Sequence, residues 1–216
     1  MFEKIIRRLG FIRKLKRCFV PSAADRYDHV FADLHNGSLA IDCGANVGEV
    51  TGKMAKNGAT VYAFEPNPYA FAQLARKFAK DDNVVCINKA VLDRNTKVKL
   101  FFHEKSDQDE VYWSTGSSIL DFKTNVDTNK SCEVEAIDLV EFIKDLNRFV
   151  DVLKIDVEGA ECPIINKIID SGIYRNIGTI LVETHDDKIP ELAAETEVLR
   201  KKISAMRIGN IVLDWT

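Results

Sequence analysis

The chain has 216 residues, 46% of them hydrophobic and 29% charged, with a formal net charge of −3. That length fits one sizeable domain with a modest appendage, and the composition is that of a soluble globular protein. No stretch approaches the ~20 apolar residues of a bilayer span, and the near-even charge balance gives no overall pull toward nucleic acid, which is not an expected partner.

The charge is unevenly spread. Residues 1–19 carry Lys4, Arg7, Arg8, Arg13, Lys14, Lys16 and Arg17 against Glu3 alone. Phe2, Ile5, Ile6, Leu9, Ile12, Leu15 and Phe19 recur at helical spacing, so residues 1–21 read as a basic amphipathic helix ending at Pro21. Charges run throughout it, so it is not expected to be a secretory signal. Two readings stay open. Its apolar face docks on the domain, or the helix lies peripherally on an anionic membrane, at the inner face for a cytoplasmic protein. Residues 22–216 form the main domain. The five cysteines (Cys18, Cys43, Cys86, Cys132 and Cys162) are odd in number and contain no C-x-x-C pair. They read as free thiols in a reducing, cytoplasmic compartment.

Ser22 is a candidate cap for a short helix to about Leu34, closed by Asn36-Gly37-Ser38. Strand and helix patterns then alternate. Strands are expected over 39–43, 60–65, 84–91, 151–156, 178–184 and 208–215, and helices over 49–56, 68–80, 160–171 and 191–205. The alternation predicts βαβ crossovers and a Rossmann-like α/β fold: a mostly parallel sheet with flanking helices. Between the third and fourth sheet strands comes an insert. It has two alternating runs, 97–103 and 132–137, around a polar stretch to Lys130. Asp138 can cap a helix to about Leu146.

Chemistry concentrates at the first strand–helix junction, Ile41-Asp42-Cys43-Gly44-Ala45-Asn46-Val47-Gly48. Open α/β sheets bind ligands there. Gly44 permits a turn and close approach of the Gly44-Ala45-Asn46 backbone, and Gly48 permits close packing at the helix start. Asp42 stands where it could accept a hydrogen bond from a ligand ammonium. Asn46 takes the place of the second glycine of G-x-G-x-x-G, which argues against a dinucleotide. Glu65 ends the second strand, where an acid can take both hydroxyls of a ribose. Asn67 is a further candidate for ribose or adenine, and the backbone around Asn88 and Ala90 for an adenine edge.

These residues resemble a family. Asp42-Cys43-Gly44-Ala45-Asn46-Val47-Gly48, Phe64-Glu65-Pro66-Asn67 and Leu153-Lys154-Ile155-Asp156-Val157-Glu158-Gly159-Ala160-Glu161 are similar to blocks of the FkbM-type methyltransferases, which use S-adenosylmethionine (SAM). The similarity runs from about Leu39 to His185, and Ser117, Ser118 and Asp138 also match family positions. The resemblance implies a class I methyltransferase fold, SAM as cofactor, and methyl transfer to oxygen, often a hydroxyl of a sugar or polyketide. The acceptor is then a small molecule or a glycan, including a lipid-linked saccharide. The family's terminal hairpin is expected in shortened form, and the basic helix lies outside the resemblance.

The catalytic candidates are Asp156, Glu158 and His185, at the ends of the fourth and fifth core strands, with Glu161 and Glu183 nearby. Each has a plainer alternative. Asp156 can be a cap, Glu158 and Glu161 can favour a helix N-terminus, and His185 can be an exposed loop residue. Lys154 shares a strand face with Asp156 and is expected to pair with an acid. Asp186 and Asp187 beside His185 make a carboxylate–histidine metal site conceivable, but no recognised ligand spacing supports one, and no metal is assigned. Two other classes remain: a nicotinamide-dependent oxidoreductase on the same kind of sheet, and a non-catalytic membrane-associated adaptor.

Overall fold

A computed structural model describes residues 27–120 and 126–215. Both readings of the basic opening segment fall outside those residues, as does Cys18. Of the short helix expected from Ser22, α1 (Asp28–Ala32) is described. In chain order there follow β1 (Leu39–Cys43), α2 (Glu49–Ala55), β2 (Thr60–Phe64), α3 (Pro68–Lys77) and β3 (Val84–Ile87). The insert supplies β4 (Ala90–Leu92), β5 (Thr96–His103) and β6 (Val126–Asp138). The chain continues through α4 (Leu139–Leu146), β7 (Val150–Ile155), α5 (Glu161–Asp170), β8 (Ile177–Val182), α6 (Ala193–Ala205) and β9 (Ile211–Val212).

The main sheet has the order β3-β2-β1-β7-β8-β9, and every pair is parallel. Successive strands step outward from β1 in one direction and from β7 in the other. Ligands bind in the crevice at such a reversal. The register sets Cys43 beside Phe64 and Ile155, and Ile155 beside Val182. Gly44, Glu65, Asp156 and Glu183 therefore leave the sheet at one height, although they lie far apart in sequence.

Every residue of β1 is buried, as a central strand covered by helices on both faces must be. Its alternation separates two cores. Leu39, Ile41 and Cys43 join Leu139 and Ile143 of α4 and Ile164, Ile165 and Ile168 of α5. Ala40 faces the opposite way, with Phe31, Met54, Val152 and Trp215. Among the described residues no helix is long and apolar enough to cross a membrane.

The insert makes a second sheet, β4-β6-β5, with β5 antiparallel and β4 parallel to β6. A bridge between Phe101 and Ser118 ties the segment after β5 back to that strand. The expected polar loop holds a 3-10 turn, Tyr112–Gly116, and β6 begins at Val126, earlier than the alternation suggests.

Three more of the expected elements whose limits differ do so for a visible reason. The strand expected over 84–91 is two strands in two sheets, broken at Asn88 and Lys89. Asn88 donates its side-chain amide to the carbonyls of Glu65 (2.8 Å) and Pro66 (3.2 Å), and the chain turns out of the main sheet. The terminal strand expected over 208–215 contracts to Ile211–Val212, because Trp215 folds into the core instead of pairing. The helix expected from Glu191 starts at Ala193, behind a 3-10 turn over Pro190–Leu192.

Asp138 caps α4 as expected. Its Oδ1 accepts from the N–H groups of Val140 (3.0 Å) and Glu141 (3.2 Å), and Oδ2 pairs with Lys167. Asp138→Ala removes the cap and leaves Lys167 without this partner. It is expected to cost about 2 kcal/mol of stability in urea unfolding, at the upper end for N-caps.

Candidate active site at the carboxyl ends of the strands

The β1–α2 loop turns through three left-handed residues, Gly44 (φ 80°), Asn46 (φ 48°) and Gly48 (φ 80°). The N–H groups of Gly44 and Ala45 both donate to the Phe64 carbonyl, at 3.0 and 2.9 Å, which fastens the loop to the end of β2. A Cβ on Gly44 would stand 1.8 Å from the Asp156 carbonyl oxygen. Only glycine lets the loop sit this close to β7. A Cβ on Gly48 would meet Phe78 at 2.5 Å and Leu74 at 2.7 Å, so that glycine seats α2 against α3.

Glu65 follows β2 and is 6% exposed. Its two oxygens accept from the N–H groups of Asn46 (2.8 Å) and Asn67 (2.7 Å). Burial pushes the carboxyl up to about 7, against the downward pull of those two hydrogen bonds. Glu65 lines a cleft, partly open to solvent, with Gly44, Asn46, Asn67, Ala90, Ser117, Asp156 and Glu158. The insert closes one side of it through Ala90, Leu100 and Ser118.

Three of the residues proposed as cofactor contacts have side chains engaged within the protein. Asp42, expected to meet a ligand ammonium, is 0% exposed. Its carboxylate accepts from Thr51 Oγ1 (2.6 Å) and lies 3.2 Å from Lys154 Nζ. The alternation of β1 aims it at α2 and β7, so it positions the loop from below. Asn88 braces the Glu65–Pro66 carbonyls and does not line the cleft. Asn67 lines the cleft, but its Oδ1 caps α3 through Tyr69 and Ala70, and its Nδ2 donates to Ser117 Oγ (3.0 Å). It thus ties the second strand's tip to the insert. Asn46 makes a similar tie, donating from Nδ2 to Ser114 Oγ at 2.9 Å. Ser114 is a residue the sequence reading passed over, since a serine in a polar insert carries no pattern.

Lys154 pairs with two acids, Asp42 (3.2 Å) and Asp156 (3.3 Å), and donates to the Gly44 carbonyl at 2.7 Å. Burial opposes its charge, but Asp42 and Asp156 hold it above the ordinary lysine range. The register places Asp42 and Lys154 side by side across β1 and β7. This buried pair joins the glycine loop to Asp156.

Past β7 and β8 an acidic ring forms. His185 is 2% exposed, not the exposed loop residue of the plainer alternative. Its Nδ1 lies 3.0 Å from Glu161 Oε1, and its Nε2 lies 3.4 Å from Glu158, 3.8 Å from Asp156 and 3.8 Å from Glu183. Burial alone would lower its pKa, but Glu161, Glu158 and Asp156 outweigh it and lift the imidazole to about 9. Glu161 Oε1 also accepts from the N–H groups of Val157 and Gly159, at 3.1 Å each. Glu161 therefore closes the loop after β7, beyond any interaction with its helix N-terminus. Glu158 stands at the cleft with a left-handed backbone (φ 59°).

A second cleft, lined by Ala45, Glu49, Asp109, Tyr112, Trp113 and Trp215, meets the first at Gly44, Asn46 and Asp156.

A parallel α/β sheet with a glycine turn, a ribose-type acid and a cleft at its switch point defines a nucleoside-binding α/β enzyme without a dinucleotide loop. The pattern of the methyltransferase FkbM domain matches residues 42–207, so the chain belongs to that family and is a SAM-dependent methyltransferase. No curated protein matches the chain. Among solved structures it is similar to precorrin-6y C5,15-methyltransferase from Geobacter metallireducens GS-15, at 15% identity over 80% of this chain and 66% of that one, with a TM-score of 0.42. It is also similar to a chain from Clostridium thermocellum described as an rRNA-methylase, at 11% identity over 54% of this chain and 98% of that one, with a TM-score of 0.30.

The residues present fit SAM. Gly44 lets the loop lie close against β7 at the edge of the cleft, and Glu65 offers a carboxylate held ready by two backbone donors. Gly44, Asn46, Glu65, Asn67 and Ala90 would hold the cofactor.

Proposed function

We propose that the chain methylates a hydroxyl of a sugar-like acceptor, free or part of a lipid-linked saccharide. Bound SAM supplies a methyl group on a positively charged sulfur, open to in-line attack. The observation that carries this reading is the meeting of the two clefts at Asp156. The first cleft has the features for an adenosyl group. The second offers the aromatic side chains of Tyr112, Trp113 and Trp215 and the carboxylates of Glu49 and Asp109. Aromatic faces and acids together suit a polyhydroxylated ring, which presents apolar C–H faces and hydroxyl donors.

Asp156 stands where the acceptor hydroxyl must approach and is the group placed to take its proton. Lys154 fixes that carboxylate from behind. Glu158 is a second carboxylate at the edge of the first cleft. His185, already protonated near neutral pH by its acidic neighbours, does not serve as the base in this scheme.

The test is methyl transfer from labelled SAM to fractionated glycans, lipids and small hydroxylated metabolites. Label is expected on an oxygen of a saccharide-containing fraction, and Asp156→Asn is expected to lower kcat by about a hundredfold or more. Separately, S-adenosylhomocysteine is expected to raise the melting temperature of both proteins, since it binds the folded state. Label on nitrogen or carbon, or full activity in the variant, would overturn the reading.

A further inference from the structure

We propose that Asp156, Glu158 and His185 form a binding site for a divalent transition-metal cation, with Glu161 orienting the imidazole and Glu183 flanking it. The argument begins with one atom. His185 Nε2 is buried and makes no hydrogen bond, while carboxylate oxygens of Glu158, Asp156 and Glu183 gather about it at 3.4, 3.8 and 3.8 Å. An imidazole nitrogen buried at a convergence of acids is what a shared ion would use.

The other ring nitrogen supports this. Nδ1 faces Glu161 Oε1 at 3.0 Å, and that oxygen accepts from two backbone N–H groups as well. Glu161 is thus a fixed acceptor, so Nδ1 carries its hydrogen and the lone pair of a neutral ring lies on Nε2. A carboxylate behind a histidine is the usual support for a metal-bound imidazole. Ligand atoms about 2.1 Å from one ion stand about 3.0–3.4 Å apart at octahedral or tetrahedral angles. The carboxylate oxygens, 3.4–3.8 Å from Nε2, would need to approach it by up to about 0.8 Å. One oxygen or nitrogen each from Asp156, Glu161 and His185 lies within 4.8 Å of the others, which sets the supporting Glu161 beside the same centre.

The donor set indicates the ion. One imidazole with two or three carboxylates suits Mn(II) or Zn(II), whereas Mg(II) and Ca(II) favour oxygen alone. On binding, the ion would take the place of a proton on Nε2, which leaves to solvent. Asp156 and Glu158 are both at the cleft, so open coordination positions would face the acceptor. There a cation would bind and acidify its hydroxyl; this last role rests on the methyl-transfer reading, but the site itself does not.

The experiment is titration of Mn(II), followed by its electron paramagnetic resonance signal, and of Zn(II), followed calorimetrically, into the chelator-treated full chain. Expected is one ion per chain at micromolar affinity, weakened at least tenfold in both His185→Gln and Glu161→Gln. Should either variant fail to fold, Glu158→Gln, at the rim, is expected to show the same weakening. S-adenosylhomocysteine is titrated in parallel without metal. Retained binding of it with no uptake of Mn(II) or Zn(II) at millimolar concentration overturns the metal site alone, whereas loss of its binding counts against the methyltransferase reading. Metal affinity unchanged across the folded variants also overturns the site.

Discussion

Gly44→Ala is expected to cost about 3 kcal/mol of stability and to abolish measurable binding of S-adenosylhomocysteine. Two physical terms add. An L-residue at φ 80° loses roughly 1–2 kcal/mol to contact between Cβ and its own backbone. The new Cβ would also lie 1.8 Å from the Asp156 carbonyl oxygen, far inside any real contact. That carbonyl is backbone at the end of β7, so relief requires the loop or the strand end to move. Such overpacking typically costs a further 1–3 kcal/mol or so. The displaced loop carries the Asn46 N–H away from Glu65 and the Gly44 carbonyl away from Lys154.

Gly37→Ala separates the two terms. Gly37 also has a positive φ, 101°, but nothing lies within 4 Å of its added Cβ. It is expected to show the backbone cost alone and unaltered ligand affinity. Gly209→Ala, with neither strain nor neighbour, is expected to be silent. Urea unfolding and calorimetric titration of the three variants make the comparison. Equal destabilisation at Gly44 and Gly37 would show that the loop does not rest on β7.

What the sequence made legible is local. The glycine turn, Glu65 and the Asp138 cap each sit at the end of a strand pattern, and period and turn chemistry place such residues without tertiary information. The family blocks add the role of SAM. Partnerships across the sheet were hidden. Alternation put Lys154 and Asp156 on one face of β7, but only the register shows that Asp42 lies beside Lys154. That register follows from packing on both faces of the sheet, and it turned a supposed ligand contact into a buried support.

The surroundings of His185 were hidden for a related reason. Asp186 and Asp187 beside it are the carboxylates that sequence proximity suggests as its neighbours. In the fold Asp186 turns away to Arg200 at 2.8 Å, and the His185 carbonyl accepts from the N–H groups of Lys188 and Ile189. The chain bends tightly there and the ring turns inward. The break between β3 and β4 was equally unreadable, because two polar residues in an apolar run look like exposed positions of one strand. Only Asn88's hold on the Glu65–Pro66 carbonyls shows that the chain leaves the sheet.

Cofactor affinity is expected to rise about tenfold between pH 6 and pH 8, and Glu65 is the cause. A ribose hydroxyl donates to a carboxylate far better than to a carboxylic acid, so the ionised form binds. With the carboxyl at about 7, roughly a tenth of the free protein is ionised at pH 6 and nine tenths at pH 8. The same shift acts on folding with the opposite sign. A carboxyl raised above its unfolded value keeps its proton in the folded state from about pH 4.5 to 7. Its contribution to stability is full below the lower value and declines as pH climbs through the upper one. The ligand-free protein therefore loses this contribution mainly between about pH 4.5 and 7, and the loss is nearly complete by the upper part of the interval in which the ligand gains affinity. Glu65→Gln holds no proton to lose, so the ratio of wild-type to variant affinity cancels titration of the ligand itself and isolates the carboxylate. That ratio is expected to climb about tenfold across the two pH units. Glu65→Ala removes two charge-assisted hydrogen bonds of about 1.5 kcal/mol each and is expected to weaken binding about a hundredfold at pH 8. A flat ratio, or wild-type affinity in the alanine variant, would mean that the sugar hydroxyls lie elsewhere and that the cleft at β2 is not where the adenosyl group binds.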